Sequence, residues 1–191
     1  MKKITRGVTD KNILDIFAED FCRIIEKYTN YFICSGFVSI AHGRSRATED
    51  IDMIIEKIPK ETFTMMHKDL VKNNFICMQS DNPEKIYSDY LIQGNSIRYV
   101  RKSKGMFPPE MELKFVKDSL DEEQMQERRT FPLTKLNLYF SSIESNIAFK
   151  EEYLQSDKDM EDAKHLRIIY EESLDENKIN KIKEKIRRLR L

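Results

Sequence analysis

No apolar run in the 191-residue sequence approaches the roughly 20 residues needed to cross a bilayer, so no membrane-spanning helix is expected. The opening stretch, MKKITRGVTD, is basic but lacks the apolar core of a signal peptide, and a cytoplasmic location is expected. Cysteine is scarce. Cys22, Cys34 and Cys77 are odd in number, widely spaced and form no CxxC pair, which argues against a zinc site or a disulfide framework. They read as reduced, mostly buried thiols. Net charge is missing too: 33 basic and 33 acidic residues cancel, so there is no global pull toward nucleic acid, although a local basic patch is compatible with the balance. Internal repeats, low-complexity linkers and a G-x-x-x-x-G-K-[ST] phosphate loop are all absent. No order of Ser, His and Asp points to a nucleophilic triad.

What is present reads as globular. Hydrophobic residues make up 40% and charged residues 35%, in a chain long enough for one domain or a domain with a helical appendage. Asp10 is a plausible N-cap for a first helix with Leu14, Phe17, Phe21, Ile24 and Tyr28 at helical spacing. Tyr31–Ser35 is a short apolar strand ending at Gly36, and residues 37–43 suit a short helix stopped by Gly43. Asp50–Glu56 is rich in β-branched residues and begins with polar–apolar alternation, which predicts a strand. Pro59 opens a helix to about Asn73, followed by a strand at Phe75–Met78. Ile86–Ile92 is ambiguous, with helix favoured. Ser96–Lys102 and Met111–Lys117 read as strands joined by a turn through Gly105 and Pro108-Pro109. Beyond Phe131-Pro132 the composition turns helical, with helices at Ile143–Leu154, Lys158–Glu171 and Glu176–Leu191. The expected fold is α+β: a mixed sheet flanked by helices over residues 1–130, with a helical region over 131–191 packed on it.

Chemistry concentrates in SGFVSIAHGRSRATEDID, residues 35–52. Asp50 and Asp52 lie two apart on a strand, so their carboxylates share a face. Such a pair repels unless a cation sits between, and hard oxygen donors suit Mg²⁺ or Mn²⁺ carrying substrate phosphates. Upstream, Ser35-Gly36 joins a strand to a helix, where glycine lets a phosphate approach the backbone. Arg44 and Arg46 lie between and can meet a triphosphate, or simply pair with Glu49 and Asp50. A lone DxD is often only a solvated strand end, and Ser-Gly only a turn. Their combination is less common than its parts and suits two-metal phosphoryl transfer.

The same run resembles the nucleotidyltransferase superfamily typified by DNA polymerase β, and within it the branch that includes AbiEii-type toxins. The family pattern is a Gly-Gly or Gly-Ser turn, a short helix, then R-x-T-x-D-h-D. On that resemblance Ser35 and Gly36 fall on the turn, Arg46 and Thr48 on the basic loop, and Asp50 and Asp52 on the metal pair. Glu112, followed by Lys114 on the same strand face, matches the third carboxylate, with Glu110 as its competitor. The family often carries Asp there, and its turn is not Ser-Gly-Phe. Ile147-Ala-Phe-Lys150 and Ser156–Ala163 look like the branch's A-x-K…KD-x-x-DA motif. That implies a phosphate or nucleotide contact for Lys150, with Asp159 and Asp162 one turn apart and able to orient that lysine or an arginine.

The resemblance implies a Mg²⁺- or Mn²⁺-dependent transfer of a nucleoside monophosphate from an NTP to an RNA, tRNA, protein or small-molecule acceptor. A role in a toxin–antitoxin pair is part of what it implies. The alternative is a non-catalytic module of the same fold that binds nucleic acid, a partner protein or a second copy. His42, near the proposed site, reads as a partly buried structural histidine; His67 and His165 read as surface residues. The basic tail, Lys178–Arg190, reads as a solvated helix face, or else as a partner or RNA surface.

Overall fold

The structure is a computed structural model and describes residues 11–46, 48, 50–102 and 109–191. Its first helix, α1 (Ile13–Ile25), buries Phe17, Phe21, Ile24 and Ile25 along one stripe. The cap is Asn12. Its side chain accepts from the Asp15 amide while the Asp15 carboxylate accepts from the Asn12 amide, so two free donors are satisfied reciprocally. The expected cap, Asp10, lies outside the described residues.

Five strands form one mixed sheet in the order β1-β2-β5-β4-β3. They are β1 (Tyr31–Cys34), β2 (Asp50–Ile55), β3 (Phe75–Cys77), β4 (Ile97–Arg101) and β5 (Glu110–Phe115). β2 and β5 run parallel and the other neighbours antiparallel. Helices flank the sheet, and the fold is α+β. Of the turn expected between β4 and β5, residues 103–108 lie outside the described residues.

Period-two alternation divides the sheet into two chemically different faces. Ile51, Met53 and Ile55 of β2 and Met111, Leu113 and Phe115 of β5 all point into the main core. α1 and α3 (Lys60–Lys72) close that side: the Phe21 ring meets Phe75 edge-on at 5.1 Å and tilts against Tyr99 at 5.5 Å. His67 of α3 is buried here, not at the surface, with its Nδ1 2.8 Å from the Tyr99 hydroxyl. One apolar wall and one hydroxyl partner account for it. The opposite face carries Asp50, Asp52, Ile54, Glu110, Glu112 and Lys114, and it is the one left for chemistry.

α2 (Gly36–Ala41) follows β1. α4 (Pro83–Lys85) runs on as a π-helical turn over Ile86–Leu91 and packs on the core side with α3, where Tyr87 meets Phe63 and Phe115. α5 (Ser119–Glu127) has no counterpart in the sequence reading. Its run SLDEEQMQE buries Asp121 and Gln124 as well as Leu120 and Met125, so no apolar stripe announces it. Asp118 caps it by accepting from the amides of Leu120 and Asp121. α6 (Ile143–Phe149) continues as a π-helical turn over Lys150–Leu154, and α7 (Asp157–Tyr170) and α8 (Glu176–Arg190) complete the chain.

Two features bind these helices to the sheet. The Ile33 amide donates to the Tyr139 carbonyl (2.9 Å) and the Ser141 amide to Ile33 (3.0 Å), which seals the outer edge of β1. Ile147, Leu166, Ile179 and Ile186 join the same core as the strands. α8 adds ion pairs on its polar sides: Lys178–Glu127, Lys183–Glu151, Lys185–Glu123, Arg187–Glu152, and Arg190 with Asp118 and Asp121. Among the described residues no helix is long and apolar enough to cross a membrane. The three thiols are free, with Cys22 and Cys77 buried and Cys34 partly so.

Candidate functional site

The site begins at a strained residue. β1 stops at Cys34, and Ser35 adopts φ 64°, ψ −136°, a conformation that suits glycine and costs other residues about 1–3 kcal/mol. The Ser35 hydroxyl gives a reason for the strain, because it lies by the Asp52 carboxylate on the cleft wall and favours its charged form. Serine thus stands where a glycine would be more comfortable and holds an acid that a glycine would not. Gly36 leaves room for a different group: a Cβ there would sit 3.3 Å from the Arg46 guanidinium, which would have to give by a few tenths of an ångström. Ser35→Gly and Ser35→Ala both delete the hydroxyl, but only glycine relieves the backbone. Ser35→Gly is therefore expected to be the more stable of the two by about 1–2 kcal/mol in urea unfolding, the reverse of the usual Ala-over-Gly ranking. Equal stabilities would remove the strain from the account.

Asp52 sits between Cys34 of β1 and Glu112 of β5 in the sheet register, and Glu112 in turn faces Arg98 of β4. Asp50 and Glu110 form the next row outward. Burial pushes the Asp52 carboxyl above its ordinary range; Glu112 adds to this, Lys114 and the Ser35 hydroxyl oppose it, and Asp50 adds again. Cys34 lies beside them, but burial and the Asp52 charge push its thiol up to about 12, so it is no thiolate ligand or nucleophile. Ser35, Asp52, Ile54 and Lys114 form the sheet side of a cleft of about 120 Å³. α5 contributes Asp121 and Gln124, and α6 with its π-helical extension contributes Phe149, Lys150 and Tyr153. One end of the cleft is anionic and the other aromatic. Phe149 and Tyr153 meet edge-on with ring centres 6.3 Å apart.

The expected cations divide into two groups. Lys114 faces the cleft. Arg44, Arg46 and Lys150 instead converge on one buried carboxylate, Asp162 of α7. Lys150 Nζ donates to it at 2.8 Å and Arg46 Nη1 at 2.6 Å, and Arg44 pairs with it and with Glu161. Lys150 also reaches Asp159 at 3.3 Å, and Asp159 accepts from the Ser156 hydroxyl at the start of α7. Of the alternative partners for the two arginines, Glu49 lies outside the described residues, and Asp50 is exposed and pairs with neither. Burial pushes the Lys150 amine below its ordinary range, with Asp159 pulling it back up. Thr48 is half-buried and donates to the Asp50 carbonyl at 3.2 Å, fixing the entry to β2. His42 is buried among Phe131, Phe140 and Tyr170, with Nδ1 2.6 Å from the Val38 carbonyl, a structural position.

Sequence reasoning missed Arg98, Asp121 and Arg190. Arg98 could have been read only from the β4–β5 register, which no local pattern encodes. Arg190 lines the cleft after spanning 69 residues to donate to Asp121 at 2.7 Å.

The donor set fits a hard divalent cation by its chemistry: four carboxylates on one face, one of them, Asp52, destabilised as an anion by burial and by the charge of Glu112. Among the described residues, no three His, Cys, Asp or Glu side chains are already gathered as a ligand set. Glu112 is drawn aside by Arg98, whose Nε and Nη2 reach its Oε2 at 3.2 and 3.0 Å.

Solved structures share this arrangement of sheet and helices. The antibiotic-resistance factor ANT(2'')-Ia superposes with a TM-score of 0.52 at 13% identity, covering 91% of this chain and 93% of its own. An antigenic nucleotidyltransferase-like protein from Paracoccidioides brasiliensis gives 0.52 at 13% identity, covering 93% and 87%. The fold is that of the nucleotidyltransferases. No family profile and no curated protein matches the chain. In this nucleotidyltransferase fold the strained turn, the carboxylate face and the aromatic wall open on one cleft.

Proposed function

We propose that the chain is a metal-dependent nucleotidyltransferase that moves a nucleoside monophosphate from an NTP to an acceptor. The observation that carries this reading is the cleft itself: Ser35 strained onto Asp52, Glu112 in register beside it, and Lys114 on the same wall. Asp50, Asp52 and Glu112 would hold Mg²⁺ or Mn²⁺, with Glu110 one row out as the alternative third ligand. Bound there, the ion would neutralise phosphate charge and lower the pKa of an attacking group. The Ser35 hydroxyl and the Gly36 amide would orient the β- and γ-phosphates, and Lys114 would balance charge building on the leaving pyrophosphate. Phe149 and Tyr153 offer the base a surface to stack on. Arg44, Arg46, Lys150 and Asp159 act one layer back, by fixing the loop that ends at Thr48 and delivers Asp50.

Residues 1–130 would then be the catalytic part, and 131–191 the helical part that walls the cleft. The acceptor is an RNA or tRNA, a protein side chain or a small molecule. The antibiotic-resistance neighbour makes the small molecule worth including, and the AbiEii-like motifs make tRNA and a toxin–antitoxin setting worth including. A non-catalytic module of the same fold is the second reading, favoured by one observation: Glu112 is already neutralised by Arg98.

Incubation with each labelled NTP, Mg²⁺ and total RNA, bulk protein or a mixture of antibiotics tests both readings. The expected result is divalent-dependent label transfer with one preferred nucleotide. Absence of transfer together with absence of NTP binding at millimolar Mn²⁺ would favour the non-catalytic module.

A further inference from the structure

Arg98 lies in the middle of β4, directly across from Glu112 in the antiparallel register. Its backbone is held on both sides: the amide donates to Gln79 Oε1 at 2.8 Å, and the carbonyl accepts from the Met78 amide at 2.8 Å. The guanidinium is therefore delivered to the carboxylate face by a fixed strand. It donates two hydrogen bonds to one oxygen of Glu112, and Glu110 Oε2 lies 3.9 Å away. Asp50 and Glu110 act on it electrostatically as well.

We infer that Arg98 is an internal counter-ion that competes electrostatically with a divalent metal for Glu112, so that metal binding there works against this ion pair. The inference rests on the metal-dependent reading above. Both hydrogen bonds from Arg98 fall on Oε2 of Glu112, which leaves Oε1 open to a metal, but a cation there meets a fixed positive charge across the same carboxylate, and the guanidinium cannot lose its proton to relieve it. Loading the site at Glu112 therefore weakens the pair with Arg98. The pair is half-exposed, and exposed pairs of this kind bias an equilibrium by less than tenfold, so the competition weakens metal binding without abolishing it. The loosened guanidinium remains tethered by β4 beside the carboxylates, where it can meet an incoming anion. Arg98 is thus a positioning residue for Glu112 in the metal-free protein.

The test is Mn²⁺ binding to the full chain, read as loss of the free-ion electron paramagnetic resonance signal and without nucleotide. Arg98→Ala and Arg98→Met are expected to bind Mn²⁺ about 3- to 10-fold more tightly than wild type, and Arg98→Lys, which keeps the charge but not the fork, about as wild type or slightly tighter. In a Glu112→Gln background the gain on removing Arg98 is expected to vanish, because nothing is left to compete for. An equal gain in both backgrounds would mean a general field effect and would overturn the inference, as would no gain in either Arg98 variant. Failure of the metal-dependent reading has a different signature: Asp52→Asn would bind Mn²⁺ as wild type does.

Discussion

Asp162→Ala is expected to destabilise the protein by about 3–5 kcal/mol, a large share of the roughly 5–15 kcal/mol that holds an ordinary domain together. Asp162 is fully buried and receives Arg44, Arg46 and Lys150 at once. Deleting it leaves cations in a dry site with only the more peripheral Asp159 and Glu161 for company. Lys150→Met removes one of three cations and leaves Asp162 with two arginines, while the methionine keeps the apolar stem packed. The amine is already pushed below its ordinary range by burial, so its charge contributes least. Lys150→Met should therefore cost much less than Asp162→Ala. At this chain length the aspartate variant should lose on the order of 10 °C in Tm. Thermal and urea unfolding of both variants provide the check; equal losses would show that Asp162 is not the centre of the cluster.

The second large effect separates stability from activity. Asp50→Asn and Asp52→Asn should each lower nucleotidyl transfer by about 10³-fold or more, which at 1.36 kcal/mol per decade is several kcal/mol of transition-state stabilisation. Asp52→Asn should not destabilise the metal-free protein. Its carboxyl is raised above the ordinary range by burial and by Glu112. An acid raised on folding binds its proton more tightly in the folded than in the unfolded state. Its charged form is thus a burden that grows as pH climbs from the ordinary carboxylate range through the raised value. The Asp52 contribution should therefore turn unfavourable over that window, and the stability of Asp52→Asn relative to the metal-free wild type should rise with pH there. Metal binding must displace the same proton, so Mg²⁺ affinity should fall as pH drops through the raised value. Tm measured against pH, with and without Mg²⁺, tests the sign. A destabilised Asp52→Asn variant with unchanged pH dependence would contradict it.

The parts of the fold legible in the sequence were those set by local periodicity. α1 and α3 followed from apolar residues at helical spacing, and β2 from its alternation, which also set Asp50 and Asp52 on one face. α5 was not legible, because half of what it buries is polar and its partners come from distant elements. His67 reads as a surface residue until the tertiary fold brings Tyr99 to it across 32 positions. The site divided in the same way. Ser35, Gly36, Asp52 and Lys114 are neighbours in one sheet and its turn, and the spacing carried them. The work of Arg44 and Arg46 depends on Asp162, more than a hundred residues away, and nothing near residue 45 points there.

The ion pairs along α8 bear on the question of the acceptor. Five of its basic residues are spent on carboxylates of α5, its cap and the α6 extension. A polyanion approaching that helix would have to exchange places with protein carboxylates one for one, and each exchange would free an acid to repel it. Few counterions would be released, so little of the steep salt dependence that marks tight phosphate-backbone binding would follow. If nucleic acid is the acceptor, its grip on this protein must come from somewhere other than the most basic stretch of the chain.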